Sequence, residues 1–254
     1  MDLQYKVEDG IATITLNRPA RKNAFTDEMI ADWAKALRNA AGDPDVRVVV
    51  LTGNGKGFCA GADLDTLLDV PDTALAHKSM LHDGIHQVAR ALEDLDKPVI
   101  AAINGDAVGA GLDMALMCDM RFVARSARLS EGYIRLGIVP GDGGCWFLPR
   151  LVGQGKALEL LLSGEFIDAE EALRIGMVNR VYDDEDLLKE TYAFAAGLAA
   201  KPVLPMAMIK RTVRMSERTD MRTSLDLISS HMAVVMSTDE ARAAMAAMRK
   251  SVRG

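Results

Sequence analysis

Residues 48–67, VVVLTGNGKGFCAGADLDTL, and residues 98–119, PVIAAINGDAVGAGLDMALMCD, follow one plan. A run of apolar side chains leads into a glycine-rich stretch, and helix-forming residues follow. Such an unbroken run reads as a strand covered on both faces. The glycines let the backbone come close to a ligand. A helix starting just after Gly109 leaves its first amide N–H groups without intrahelical partners, aimed at whatever lies in front. Two such amides, one from each loop, would form an oxyanion hole for a carbonyl that gains negative charge. A phosphate loop is the rival reading, but Gly53-x-Gly55-x-Gly57 lacks the G-x-G-x-x-G spacing and no G-K-[ST] follows. A purely structural glycine turn stays open.

Upstream, Leu3, Tyr5 and Val7 alternate before Asp9-Gly10, and residues 11–16 alternate again, which predicts a hairpin. Thr26 is placed to cap a helix whose apolar face is Met29, Ile30, Trp33 and Leu37. Strands are expected over 46–52, 98–104 and 120–123, with a helix over 77–95 and another after Gly109. Strands separated by helices indicate parallel crossover units, hence an α/β fold. No repeat of fixed period is visible. Beyond Gly144 the chain reads as mostly helical, with a short strand near 177–181. The division expected is a core over 1–200 and a helical oligomerisation region over 201–254. That tail is rich in methionine (206, 208, 215, 232, 236, 245 and 248), at spacings that ordinarily mean packing, on the body, on another subunit or on both.

The 254 residues are enough for one large domain, or one domain with a short appendage. A formal charge of -6 argues against nucleic acid as a partner. Cys59, Cys118 and Cys145 are an odd count in apolar or glycine-rich surroundings, which suggests a reducing compartment. The opening MDLQYKVEDG lacks a secretion signal, and no apolar stretch reaches the roughly 20 residues of a membrane span. A cytoplasmic protein without a membrane partner is expected.

Four segments carry a resemblance: GFCAGADL (57–64), AINGDAVGAGLDMALMCD (102–119), LSEGYIRLGIVPGDGG (129–144) and LVGQGKALELLLSGEFIDAEEALRIGMVNRVY (151–182). In order, spacing and strand–helix context the chain resembles the enoyl-CoA hydratase/isomerase (crotonase) family. The resemblance implies a ββα spiral core with a C-terminal helical tail, assembled as trimers or dimers of trimers. It implies an acyl-CoA thioester substrate, with coenzyme A entering as part of that substrate and no metal or redox cofactor. Its two oxyanion amides fall on Ala62 and Ala110. The coenzyme edge falls on Ala24, Ala60, Asp63 and Leu64. Lys22 stands where it would meet a coenzyme phosphate, or it is a solvated loop lysine.

The acid–base positions depart from the family's pair of glutamates: they fall on Asp113 and Tyr133. Asp113 reaches about 1.5 Å less far than Glu. In an apolar pocket it should have a raised pKa and could serve as acid or base. The alternative is a structural role, such as pairing with Arg121 or Arg135. Tyr133 cannot be a base near neutrality. It either donates a hydrogen bond to a substrate oxygen or walls the pocket. Glu131 shares a direction with Tyr133 only if that stretch is extended. Asp142 coincides with a catalytic aspartate of the dienoyl-CoA isomerase branch, although Asp in a glycine turn is common turn chemistry. His82 and His86 lack a third metal ligand, and Cys59 has no histidine placed to activate it.

Three functions follow as expectations. The first is an enoyl-CoA hydratase or double-bond isomerase. The second is hydrolysis, decarboxylation or ring cleavage of a bulkier acyl-CoA on the same fold. The third is a non-catalytic module that binds CoA thioesters.

Overall fold

The computed structural model describes residues 1–253, with side chains described through Arg249. Ten strands occur in chain order: β1 (Leu3–Glu8), β2 (Ile11–Leu16), β3 (Val48–Gly53), β4 (Gly57–Cys59), β5 (Val99–Ile103), β6 (Asp106–Val108), β7 (Met120–Ala124), β8 (Arg128–Ser130), β9 (Ile167–Asp168) and β10 (Arg180–Tyr182). Six of them form one sheet, ordered β1-β2-β3-β5-β7-β10, and four form a second, ordered β4-β6-β8-β9. Apart from the β1–β2 and β8–β9 pairs, all neighbours are parallel.

The β1–β2 hairpin turns through Asp9 (φ 49°) and Gly10 (φ 78°), the left-handed pair that a two-residue hairpin loop requires. Thr26 caps the helix Asp27–Gly42, its hydroxyl accepting from Met29 N–H at 3.3 Å. That helix buries Met29, Ile30, Trp33 and Leu37, and each such side chain contributes about 1.5–3 kcal/mol of transfer free energy. Every position of β3 and β5 is buried, as unbroken apolar runs demand.

The spiral arises because β3/β4, β5/β6 and β7/β8 each place one strand in the large sheet and the next in the small sheet, in matching order. The glycine-rich loops are two of these corners. A Cβ on Gly111 would lie 2.2 Å from the Cys59 carbonyl oxygen, so only glycine lets the second loop's helix lie against the first loop.

Three local features differ from the sequence reading. The expected 77–95 helix is broken into Ala74–Ser79, a wide π-type turn over Met80–Ile85, and His86–Glu93. Gly84 lies within the wide turn, where a weak helix former lowers the cost of widening. The last strand of the large sheet is Arg180–Tyr182, later than 177–181 suggested. The small sheet is built from strands of two or three residues, too short to show a period.

The chain forms two compact units. One comprises Met1–Leu95 with Val99–Ala199, and the other joins Asp96–Pro98 to the chain from Ala200 onward. Within the second unit, Lys210 Nζ donates to Lys97 O at 2.6 Å, and Arg211 pairs with Asp96. Its helices Val203–Ser216 and Met221–Met236 bury no residue, and Met221, Leu225, Met232 and Met236 are exposed. Of the methionine stripe, Met206 and Met208 are half-buried, whereas Met215, Met232, Met236, Met245 and Met248 are exposed. No single helix among the described residues is long and apolar enough to cross a membrane.

Candidate active site

The two glycine-rich loops meet inside the first unit. Phe25 N–H donates to Gly61 O, and Asp63 N–H donates to Phe25 O, each at 2.9 Å. This parallel bridge of Phe25 with Ala62 turns the Ala62 N–H away from Phe25. A Cβ on Gly61 would lie 3.5 Å from the Ala110 nitrogen, so the two loops touch there. The helix Ala110–Leu116 follows Gly109, and Asp113 N–H donates to Gly109 O at 2.9 Å. The amides of Ala110, Gly111 and Leu112 stand ahead of that bond, at the positive end of the helix.

Asp113 lies in the first turn of the same helix and is fully buried. Tyr133 Oη is 2.5 Å from Asp113 Oδ2 and 3.0 Å from Asp142 Oδ2, so the phenol bridges the two aspartates. Its ring packs beside Gly109, where a Cβ would lie 3.7 Å from Tyr133 Cε2. Glu131 is a fourth member. A Cβ on Gly144 would lie 2.6 Å from Asp113 Oδ1 and 2.8 Å from Glu131 Oε2, so both carboxyl groups abut that glycine. Asp142 Oδ1 is buried without a hydrogen-bond partner, whereas Asp113 faces the Gly144 backbone and the Glu131 carboxyl.

No member of this cluster forms an ion pair among the described residues. Arg121 instead donates to the carbonyls of Met177 and Cys118, each at 2.7 Å, and Arg135 lies over Phe166 and donates to Gly164 O. Neither supplies the structural pairing that the sequence left open for Asp113. Burial pushes Asp113 up to about 7, with the Tyr133 hydrogen bond opposing and the Asp142 charge adding to the rise. Burial and then the Asp113 charge push Glu131 up to about 10. Asp142 is also raised by burial, against the Tyr133 bond and the His86 charge. Tyr133 is driven upward by burial and by the carboxylates around it, so it stays a phenol. His86 Nε2 donates to Gly141 O at 2.7 Å and anchors the loop that carries Asp142.

On sequence Glu131 shares a direction with Tyr133 only if the stretch is extended, and the stretch is not extended. The strand ends at Ser130, and a 3-10 turn over Gly132–Leu136 begins with Tyr133 N–H donating to Glu131 O at 2.5 Å. That turn, rather than alternation, brings both side chains to Asp113.

Of the residues expected at the coenzyme edge, Ala60, Asp63 and Leu64 lie on the first loop, and Lys22 and Ala24 lie in the segment between β2 and the helix Asp27–Gly42. Lys22 (φ 50°) is exposed, and its carbonyl accepts from Ala60 N–H at 3.0 Å. Ala60 and Leu64 are exposed, and Ala24 is half-buried with its carbonyl engaged by Arg18. Asp63 is buried differently from Asp113. It pairs with Arg18 at 2.8 Å, caps the helix Leu64–Leu68 through Asp65 N–H, and is held below the usual carboxylate range chiefly by Arg18. Its carboxylate is thus already engaged. Among the described residues no group of three or more His, Cys, Asp or Glu is arranged to hold a metal ion. Cys59 is buried and donates to Asn23 O at 3.2 Å, and burial pushes its thiol up to about 12.

The sequence profile described as enoyl-CoA hydratase/isomerase matches residues 6–251. The chain belongs to the enoyl-CoA hydratase/isomerase family. It is 39% identical over 226 residues to the 1,2-epoxyphenylacetyl-CoA isomerase of Escherichia coli K12, covering 87% of this chain and 85% of that one. It is 34% identical over 241 residues to the crotonyl-CoA hydratase of Syntrophomonas wolfei, covering 94% and 92%. The crystal structure of an enoyl-CoA hydratase from Mycobacterium smegmatis superposes with a TM-score of 0.93 at 32% identity, covering 99% of this chain and 97% of that one. Membership explains the spiral core and the paired glycine-rich loops. The Asp113–Tyr133–Asp142 bridge is a property of this chain's own residues.

Proposed function

We propose that this family member moves the double bond of an enoyl-CoA thioester through an enolate. The observation that carries the reading is the bridge: a buried aspartate accepts a hydrogen bond from a phenol that also touches a second aspartate. The thioester carbonyl sits between the Ala62 and Ala110 amides, which stabilise the enolate oxygen as an oxyanion hole. Asp113, with its raised pKa, takes a proton from the carbon next to the carbonyl. Hydration calls for two groups that hold one water between them, and here the phenol fills that space between Asp113 and Asp142.

Lys22, Ala24, Ala60, Asp63 and Leu64 border the coenzyme, with Lys22 facing a phosphate and Asp63 shaping the loop through Arg18. Coenzyme A enters as part of the substrate, with no further cofactor. The exposed apolar side chains of the second unit support assembly into a homotrimer or a dimer of trimers, which sedimentation would measure. Three free cysteines suit a cytoplasmic enzyme.

The test is a panel of 2-enoyl- and 3-enoyl-CoA thioesters in heavy-oxygen water, with products weighed by mass spectrometry. Double-bond migration without mass gain, lost in Asp113→Asn, is expected. Addition of one labelled water would make the enzyme a hydratase, and release of free coenzyme A would make it a hydrolase.

A further inference from the structure

We propose that Asp142, Tyr133 and Asp113 form a proton relay in which Tyr133 protonates the substrate and Asp142 replaces the proton that Tyr133 gives up. The reading rests on the isomerase function proposed above. A phenol has one proton, yet Tyr133 Oη lies within hydrogen-bond distance of two carboxyl oxygens, Asp113 Oδ2 at 2.5 Å and Asp142 Oδ2 at 3.0 Å. If both were carboxylates, one would face the phenol oxygen without a proton between them. Both aspartates are buried, without an ion-pair partner among the described residues, and Asp142 leaves its other oxygen unpartnered. Two unpaired buried charges at that separation are strongly disfavoured. The arrangement that satisfies both contacts has Asp142 protonated and donating to Tyr133, and Tyr133 donating to an ionised Asp113. The shorter contact is the one expected for a charge-assisted bond, which places the ionised partner at Asp113.

The groups facing these three are Glu131, beside Asp113 Oδ1 at Gly144, His86, whose Nε2–H donates to Gly141 O next to Asp142, and the thiols of Cys59 and Cys145. None stands between the three relay members.

With a 3-enoyl thioester the steps balance. Asp113 removes the proton from the α carbon, and the C–H electron pair moves through the carbonyl to give a dienolate. Tyr133 O–H protonates the γ carbon, the dienolate electrons form the new C–H bond, and the carbonyl is restored. Asp142 returns a proton to Tyr133 and becomes a carboxylate. The proton held on Asp113 then passes through Tyr133 to Asp142, which restores the starting state without an outside acid. Asp142 acts through Tyr133 and is a positioning residue.

Two measurements test this. The first needs no turnover: infrared difference spectra of the whole protein at pH 7, wild type against Asp142→Asn. A protonated-carboxyl stretch lost in Asp142→Asn and displaced in Tyr133→Phe is expected, and an ionised Asp142 would overturn the relay even if isomerisation is confirmed. The second uses α,α-dideuterated 3-enoyl-CoA mixed with unlabelled substrate. A single base hands a molecule its own deuterium, whereas the relay delivers the proton resting on Tyr133. Self-transfer of deuterium to the γ carbon should be low in the wild type. It should rise at least about threefold in Tyr133→Phe and stay low in Asp142→Asn, which loses only the proton that resets Tyr133, while kcat falls about 10–100-fold in both with little change in KM. Equal self-transfer in wild type and Tyr133→Phe would discard the relay and leave a single-base isomerase standing. Loss of all isomerisation in the wild type would instead discard the reading on which it rests, with the infrared result still deciding where the proton lies.

Discussion

Asp63 and Asp113 are two buried aspartates at the starts of two helices, one on each glycine-rich loop, and they have opposite fates. Asp63 meets the Arg18 guanidinium at 2.8 Å and is held ionised. Asp113 meets a phenol, the Gly144 backbone and other carboxyl groups but no cation among the described residues, and burial pushes it up to about 7. Burial alone does not decide the state of a carboxyl group; the neighbour that compensates for it does. The paired aspartate fixes the backbone of its loop. The unpaired one keeps a proton affinity matched to neutral pH, the condition under which an acid or base works best.

The largest expected effect breaks the unpaired side. Asp113→Asn should lower kcat/KM by about 10²–10⁴-fold in a steady-state assay. Its folding stability at neutral pH should hold or rise, because an uncompensated buried carboxyl is removed. Asp63→Asn should do the reverse. Removing the partner of a largely buried Arg18 should cost about 2–3 kcal/mol by denaturant unfolding, less than for a fully buried pair because the guanidinium keeps some solvent. kcat for this variant should stay within a few-fold of wild type. If Asp63→Asn lost activity as severely as Asp113→Asn while remaining folded, the division between a structural and a chemical aspartate would be wrong.

How far the sequence reveals this contrast depends on which physical signal marks each residue. β3 and β5 are legible because a strand covered on both faces must be continuously apolar, and the hairpin because Asp9-Gly10 tolerates left-handed backbone. Asp113 and Tyr133 are legible through the motifs around them. Glu131 is not, because its direction depends on the chain leaving the strand after Ser130, which no period reports. Asp142 is masked by a glycine turn in which aspartate is unremarkable. β4, β6, β8 and β9 have too few residues to carry a pattern. Arg18, which decides the state of Asp63, is distant from it in sequence and has no motif of its own.

The same contrast sets two opposite pH responses. Asp63 has a depressed folded-state pKa, so the stability it contributes is present above the unfolded value near 4 and is lost as pH falls through the lower folded value. Asp113 has a raised folded-state pKa, so its contribution is full below about 4 and is lost as pH rises through about 7. Wild type should therefore lose stability relative to Asp113→Asn between those limits, as seen in unfolding midpoints across pH. Over the same range kcat/KM should rise about tenfold per pH unit towards about 7, because only ionised Asp113 removes a proton. A flat rate profile there would place the working base elsewhere.

Gly144→Ala sharpens the comparison within the cluster. The added methyl would meet Asp113 Oδ1 at 2.6 Å and Glu131 Oε2 at 2.8 Å, so one carboxyl must move. Overpacking of this kind costs about 1–3 kcal/mol, and a shift of the base should lower kcat about tenfold or more. The decisive readout is whether kcat falls while KM holds, as expected when the displaced group acts on the reacting carbon and not on the coenzyme.

Lys22 tests the paired side at its margin, where the expected effect is smallest. Its left-handed backbone (φ 50°) closes the turn that begins at Pro19, through its own N–H to Pro19 O at 3.1 Å. Alanine meets that conformation at a cost similar to lysine, so Lys22→Ala reports on the ammonium rather than on the turn. An exposed cation facing a coenzyme phosphate should raise KM only about threefold when removed, at low ionic strength. Screening should then bring wild type and variant together at about 0.5 M salt, where the Debye length is a few Å. A KM that does not change at any salt concentration would make Lys22 a solvated loop residue. The polar work of that loop would then rest on the Arg18–Asp63 pair, which holds the backbone in place.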